Sequence, residues 1–172
     1  IEALHITRSM QDRADLLTSE VEDVNLKLAS IGKLSNISLQ LYSWYIKNGH
    51  ARNKQDETEL KVFFKNHLPK HPEIITDFYE LLYLYQSYCW YAFIRQDFTM
   101  YYRYSQKWID LYLKEPLMIS VETGHYIKGM HNLLNAHYVL RNFKQFDLTL
   151  KKFESFYETQ AAKQNDNFLR HT

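Results

Sequence analysis

Residues 78–115 read FYELLYLYQSYCWYAFIRQDFTMYYRYSQKWIDLYLKE, and this stretch forms the centre of the predicted fold. Its first half belongs to a predicted helix over 73–95 that is apolar on most of its circumference, as is typical of a central helix with neighbours on two sides. Gln96-Asp97 interrupts the pattern, and Asp97 is placed to cap the next helix, over 98–114. Pro116 ends that helix. The stretch therefore predicts two helices joined by a short turn.

Outward from this stretch the same periodicity predicts helices in both directions. The seven predicted helices span residues 2–30, 35–48, 56–68, 73–95, 98–114, 121–140 and 143–164. Only 4 Gly and 3 Pro occur in 172 residues, too few for a sheet with many tight hairpins. We expect one all-α domain over 1–172, with a long heptad helix at 1–31 and helix pairs at 35–68, 73–115 and 121–164. The polar tail from Lys163 to Thr172 is expected to fray.

Three turns recur at a regular distance along the chain. They are Asn48-Gly49, Gln96-Asp97 and Arg141-Asn142, each about 45 residues from the next, and a fixed period of this order is typical of a helical solenoid. Each helix pair would leave apolar surface uncovered if it stood alone. We therefore expect the pairs to stack into one continuous core.

The last two pairs carry a pattern of aromatic and small residues after each turn. Phe98 is followed by Tyr101, Ser105 and Trp108, and Phe143 is followed by Phe146, Leu150 and Phe153. This pattern resembles the tetratricopeptide repeat (TPR), and the chain is similar to bacterial helical-repeat proteins of unassigned role. The resemblance implies a right-handed α-solenoid of antiparallel helix pairs that binds a protein or peptide segment. The period exceeds the usual 34 residues, so the helices should be longer.

The first predicted helix carries a heptad seam, which we define as Met10, Ala14, Leu17, Val21, Val24, Leu28 and Ile31. Gly32 is predicted to end this helix. Two hypotheses follow. The seam packs on the second helix of the same chain, which the short turn at 32–34 favours, or it makes a homo-oligomer through a coiled coil.

The sequence contains no HExxH, CxxC, P-loop or GxGxxG motif, so it predicts neither a catalytic nor a metal-binding site. His125, His131 and His137 recur every six residues. Six residues of a helix correspond to a rotation of about 240° around its axis, so the three side chains point in different directions. Cys89 stands between Tyr88 and Trp90 and is interpreted as a small buried hydrophobe. We expect a non-enzymatic protein with no catalytic residue, no cofactor and no metal.

The aromatic and basic surplus of residues 101–108 suggests the candidate binding residues. Tyr101, Tyr104 and Trp108 share a helix face and are expected in the core. The predicted partner-binding residues are Tyr102, Arg103 and Lys107. We expect them on the concave surface, because Tyr and Arg are common in protein recognition.

Other function classes remain as alternatives. A single-stranded nucleic-acid binder would use the same aromatics and basic residues, but the formal net charge of +1 disfavours it. The main alternative is a regulatory or dimerisation module of a larger signalling protein. The single cysteine and the absence of a long apolar run predict a cytoplasmic protein without membrane insertion. The start at Ile1, inside a helical pattern, predicts a fragment of a longer chain.

Overall fold

The computed structural model describes residues 2–158 of the chain, and side chains at residues 7, 8 and 10–158. Within these residues the fold is all-α, as predicted, with seven helices and no strand. The helices are α1 (Glu2–Asn48), α2 (Lys54–His67), α3 (Phe78–Ile94), α4 (Phe98–Lys114), α5 (Met118–Val121), α6 (Thr123–Val139) and α7 (Phe143–Tyr157), with a 3₁₀ turn at Pro72–Ile74. The predicted fraying tail lies outside the described residues.

Helix α1 joins the first two predicted helices, so the predicted end at Gly32 is wrong. A glycine inside a helix costs only about 1 kcal/mol relative to alanine. Just beyond it Leu34, Ile37 and Leu41 are fully buried against other helices, and this packing offsets the cost. The tertiary contacts of the second half thus hold the helix through the glycine.

The N-terminal part of α1 extends away from the rest of the fold. Every side chain described between residues 10 and 29 is exposed. Six of the seven residues of the heptad seam are among them, with Met10 70 % and Val24 55 % exposed, and the seventh, Ile31, is half-buried. The hypothesis that the seam packs within the chain is therefore wrong, because the turn that would have folded the helix back does not form.

The other helix boundaries follow local capping chemistry. Asp97 accepts a hydrogen bond from the Met100 amide, as predicted, and α4 has the predicted bounds. Asp77 caps α3, so that helix begins five residues later than predicted. Asn53 caps α2, which begins at Lys54, two residues before the predicted start at residue 56.

Helices α3 and α6 end in the same backbone arrangement. The second residue after each helix, Gln96 or Arg141, has a positive φ of 56° or 55°. The next amide, of Asp97 or Asn142, donates to a carbonyl five residues earlier, which is the Schellman pattern. Two separate turns of the chain are thus built alike.

The core consists mainly of two clusters that meet on α3. One joins Leu34, Ile37 and Leu41 of α1 and Leu60 and Phe64 of α2 to α3. The other joins the opposite side of α3 to α4 and to Ala136 of α6. Helix α3 is central, as its apolar circumference predicts. Among the described helices, none has a segment that is both long and apolar enough to cross a membrane.

Aromatic contacts show how α3 and α4 run past each other. Phe78, at the start of α3, contacts Tyr112 near the end of α4, with ring centroids 5.3 Å apart. Tyr88 stacks on Tyr104 at 4.0 Å in the middle. Phe93, at the end of α3, contacts Tyr101 near the start of α4 at 5.3 Å. Early residues of one helix thus meet late residues of the other.

Gly129 allows α6 to lie close to α4. A Cβ atom at this position would lie 2.8 Å from Ile109 Cδ1 and 3.1 Å from Trp108 Nε1. Both distances are shorter than ordinary van der Waals contact. The sequence pattern that placed a glycine in an apolar helix is therefore explained by helix packing.

Replacing Gly129 with Ala should lower the free energy of unfolding by about 1 kcal/mol. The gain in helix propensity is about 1 kcal/mol, while overpacking typically costs about 1–3 kcal/mol. Gly32→Ala is the matched control, because no atom lies within 4 Å of its added Cβ, and it should stabilise by about 0.5–1 kcal/mol. Urea denaturation measures both, and equal stabilisation by the two changes would contradict the close approach of α6 to α4.

Candidate functional site

A pocket of about 680 Å³ lies between α1, α3 and α6, and α4 forms its floor. We call it the aromatic groove. Its lining side chains are Ser35, Ser38, Leu39, Tyr42, Tyr45, Tyr83, Gln86, Cys89, Trp90, Phe93, Tyr101, Trp108, His125, Ile127, Lys128, His131, Asn132 and Asn135. A volume of this size is within the range of ligand-binding pockets.

The floor of the groove is formed by two buried side chains of α4. Trp108 and Tyr101 are both buried below it, at 3 % and 4 % exposure. The Tyr101 hydroxyl donates a hydrogen bond to Asn132 Oδ1 at 3.1 Å, which ties α4 to α6 across the base. The floor is therefore held by packing and by a buried polar contact.

One wall carries a chain of polar contacts from α1 to α6. Ser38 Oγ donates to Gln86 Oε1 at 3.5 Å, and Gln86 Nε2 lies 2.8 Å from His125 Nδ1. Burial lowers the pKa of His125, while Glu122, 3.9 Å away, acts in the opposite direction. The neutral ring accepts the Gln86 amide proton at Nδ1, so this contact favours the uncharged histidine.

The lip of the groove carries apolar groups in contact with water. Leu39 is 63 % exposed and Tyr42 is 44 % exposed. The Tyr42 ring lies 5.0 Å from Trp90, and Trp90 also contacts Tyr45 at 5.8 Å. Aromatic side chains lose little conformational entropy when they are covered, so this lip is suited to recognition.

The charge of the groove is uneven. Lys128 and His131 are exposed on the α6 side, and no carboxylate from the described residues lines the groove. Glu122 lies behind His125 rather than in the lining. A ligand in the groove would therefore meet one fixed positive charge and no negative one.

The three predicted partner-binding residues do not line the groove. Tyr102 is half-buried and contacts the His137 ring at 5.2 Å. Lys107 Nζ lies over the Tyr104 ring, 5.2 Å from its centroid, and Arg103 is exposed. Helix α4 turns only its Tyr101 side toward the groove, because α1, α3 and α6 form the walls.

The sequence pattern does not predict which residues line the groove. Tyr42 and Trp90 stand at ordinary helical spacing beside core residues, so their pattern does not separate lining from packing. A groove between three helices depends on how distant segments pack. The strongest available signal was the excess of aromatic residues, 16 % of the chain.

Three hydroxyl and thiol side chains, those of Ser87, Ser105 and Cys89, are buried between packed helices. Ser87 donates to the Tyr83 carbonyl at 2.8 Å, and Ser105 Oγ lies 3.6 Å from Cys89 Sγ. Burial raises the pKa of Cys89 to about 12, so the thiol stays protonated. Across the part of the chain that the structure describes, no three His, Cys, Asp or Glu side chains are grouped closely enough to hold a metal ion.

Cys89 should react with a thiol reagent such as DTNB only after the chain unfolds. Its side chain is 2 % exposed and the thiolate is the reactive form. The test compares the reaction rate in native buffer with the rate in denaturant. Rapid reaction of the native chain would contradict this burial.

Stability should decrease as the pH falls through the ordinary histidine pKa. Burial lowers the pKa of His125 and of His137 below 6.5, so the unfolded chain binds protons that the folded chain does not. This stability is complete above about pH 7.5 and is lost progressively below about pH 6.5. Denaturation across this range should show a smaller slope for His125→Gln, and an unchanged slope would contradict the assignment.

Comparisons of the chain with protein-family models, with curated proteins and with solved structures gave no match.

Proposed function

We propose that this chain is a TPR-like helical-repeat domain that binds a protein or peptide segment in the aromatic groove, without catalysing a reaction. The observation that carries the proposal is the groove itself, a pocket of about 680 Å³ with exposed Leu39 and Tyr42 at its lip. Single exposed apolar residues are common, but a concave cluster of them marks a binding surface.

The proposed architecture is a right-handed solenoid of antiparallel helix pairs. The aromatic contacts that join early α3 to late α4 support antiparallel pairing. The matching Schellman ends at Gln96 and Arg141 support a repeated unit. Contacts between α1 and α3 support a parallel direction of these two helices, because Lys27 contacts Asp77 and the later Ser38 contacts the later Gln86. In such an arrangement α1, α3 and α6 are the first helices of successive pairs and form the concave face.

The chemistry of the groove favours a segment with an apolar or aromatic anchor and an acidic group. The anchor would cover Tyr42 and Trp90, where the aromatic lip is exposed to water. The acidic group would face Lys128, which has no carboxylate beside it in the lining. Asn132 and Asn135 offer amide groups that can hydrogen-bond a peptide backbone.

Two other functions are weaker candidates. A nucleic-acid binder would need several cations to follow a phosphate backbone, and Lys128 is the single lysine or arginine that the described residues contribute to the lining. The proposed role of Tyr102, Arg103 and Lys107 in binding also stays a prediction, on a surface other than the groove. A regulatory or dimerisation module of a larger protein is compatible with the exposed part of α1, residues 10–29.

A random-peptide display library, selected with the whole chain, tests the proposal. Selected peptides should share an apolar residue and an acidic residue. The double variant Tyr42→Ala/Lys128→Glu should weaken their binding by tenfold or more, as expected for groups at a recognition centre (roughly 2 kcal/mol). Fluorescence anisotropy measures the dissociation constants.

The matched control is Arg103→Ala/Lys107→Glu, on the surface that the sequence predicted. Both double variants change only side chains that the structure shows exposed, so circular dichroism should show unchanged folding. Equal binding by the groove variant and the native chain would contradict the groove. Loss in the control alone would return the site to α4, and tight binding of a labelled oligothymidine would favour nucleic acid.

A further inference from the structure

The heptad seam of α1 is the largest feature that the groove does not explain. Helix α1 has 47 residues, which corresponds to about 70 Å. Its side chains between residues 10 and 29 make few contacts with the rest of the chain, and the ion pair of Lys27 with Asp77 at 3.1 Å is at the end of this part. The seam therefore lies in water along about five helical turns.

Such a segment is expected to have a partner. An isolated helix is marginal in water, and its stability in proteins comes mostly from packing of an apolar face. The charges that flank the seam have both signs. They are Arg8, Asp12, Arg13, Asp15, Glu20, Glu22, Asp23 and Lys27. Since membrane-surface helices have a basic polar face, this mixture points to a protein partner rather than to lipid.

We propose that the partner is a second copy of this chain, paired with α1 in an antiparallel coiled coil. In heptad notation Ala14, Val21 and Leu28 are a positions, and Leu17, Val24 and Ile31 are d positions. An antiparallel pair places each a position opposite a d position of the other chain. The symmetric register centred between residues 22 and 23 pairs all six of these positions with one another.

The six layers of this register are well matched in size. Ala14 lies opposite the partner's Ile31, Leu17 opposite the partner's Leu28, and Val21 opposite the partner's Val24, and the two-fold axis repeats these layers. Small and large residues thus alternate with pairs of equal size. The register uses the exposed seam residues from Ala14 to Leu28 together with the half-buried Ile31, and its layers end before Ser38, which is buried against Gln86.

Charge complementarity selects the same register. Arg13, Glu20 and Lys27 occupy the g positions, and g positions face each other in an antiparallel pair. Glu20 then lies beside the partner's Lys27, once on each side of the axis. Lys27 already pairs with its own Asp77, but its side chain is 62 % exposed and its ammonium group has three donors.

A parallel pair lacks this complementarity. There each g position faces an e position, so Arg13, Glu20 and Lys27 would meet Thr18, Asn25 and Gly32. None of these contacts is an ion pair. Parallel dimers also favour β-branched residues at a with leucine at d, whereas this seam has valine at both kinds of position.

Disulfide crosslinking of the whole chain tests the orientation. Leu17→Cys mixed with Leu28→Cys should form a crosslinked dimer, because these positions share a layer. Leu17→Cys alone should not crosslink, since its two copies would be about 16 Å apart along the axis, beyond the roughly 7 Å that a disulfide spans. The native Cys89 is buried and does not interfere. Crosslinking of Leu17→Cys with itself would overturn the antiparallel register.

Charge reversal tests the register without cysteines. Glu20→Lys and Lys27→Glu should each weaken the dimer by about tenfold or more at low salt, because two attractive contacts become repulsive. An equal mixture of the two variants should restore the native affinity, since both contacts become attractive in the mixed dimer. Sedimentation equilibrium measures the affinities. A native chain that stays monomeric at high micromolar concentration, or variants that dimerise as the native chain does, would overturn the proposal.

Both tests leave the groove residues unchanged. If the native chain forms the dimer and selected peptides fail to bind even the Glu20→Lys variant, whose dimer is weakened, the groove is rejected and the seam is kept. The converse result would reject the seam and keep the groove.

Discussion

The burial of α3 on both sides is the constraint on which the other helices depend. Leu82, Ala92 and Ile94 of this helix have no measurable exposure. One side packs on α1 and α2, and the other packs on α4 and α6. Because a helix that is apolar nearly all round cannot present either side to water, it fixes its neighbours on both sides at once. The groove lies where these neighbours diverge.

Stacked aromatic pairs fix the distances between α3 and its neighbours. Phe64 of α2 stacks on Tyr91 at 4.0 Å, and Tyr104 of α4 stacks on Tyr88 at the same distance. Burial raises the pKa of Tyr88 to about 12, so this ring stays neutral at physiological pH. Lys107 lies over the outer ring of the second stack. A sequence pattern could not distinguish an exposed lysine in such a cation–π contact from a lysine used in recognition.

The sequence predicts what is determined locally. The apolar circumference of α3 and the cap at Asp97 depend on residues a few positions apart, and both agree with the structure. Gly32 lies within a helix instead of ending it because Leu34 and Leu41, just after it, are buried by helices far along the chain. The local sequence around Gly32 does not reveal this burial. The groove residue Trp90 was indistinguishable from core for the same reason. Trp90 is surrounded by segments, such as α1 and α6, that are far apart along the sequence.

The two proposed binding surfaces share α1 because the helix does not end at Gly32. Seam positions continue in register as Ser35, Ser38 and Tyr42, and these residues form the α1 wall of the groove. The seam is open to water up to Leu28, whereas Ser38 is closed by Gln86. In the proposed register the partner's Met10 lies opposite Ser35, where the groove begins. Because α1 is one continuous helix from Glu2, the part of the partner's helix before Met10 runs along the α1 wall of the groove. We therefore expect pairing of two chains and binding of a ligand at the aromatic lip to compete.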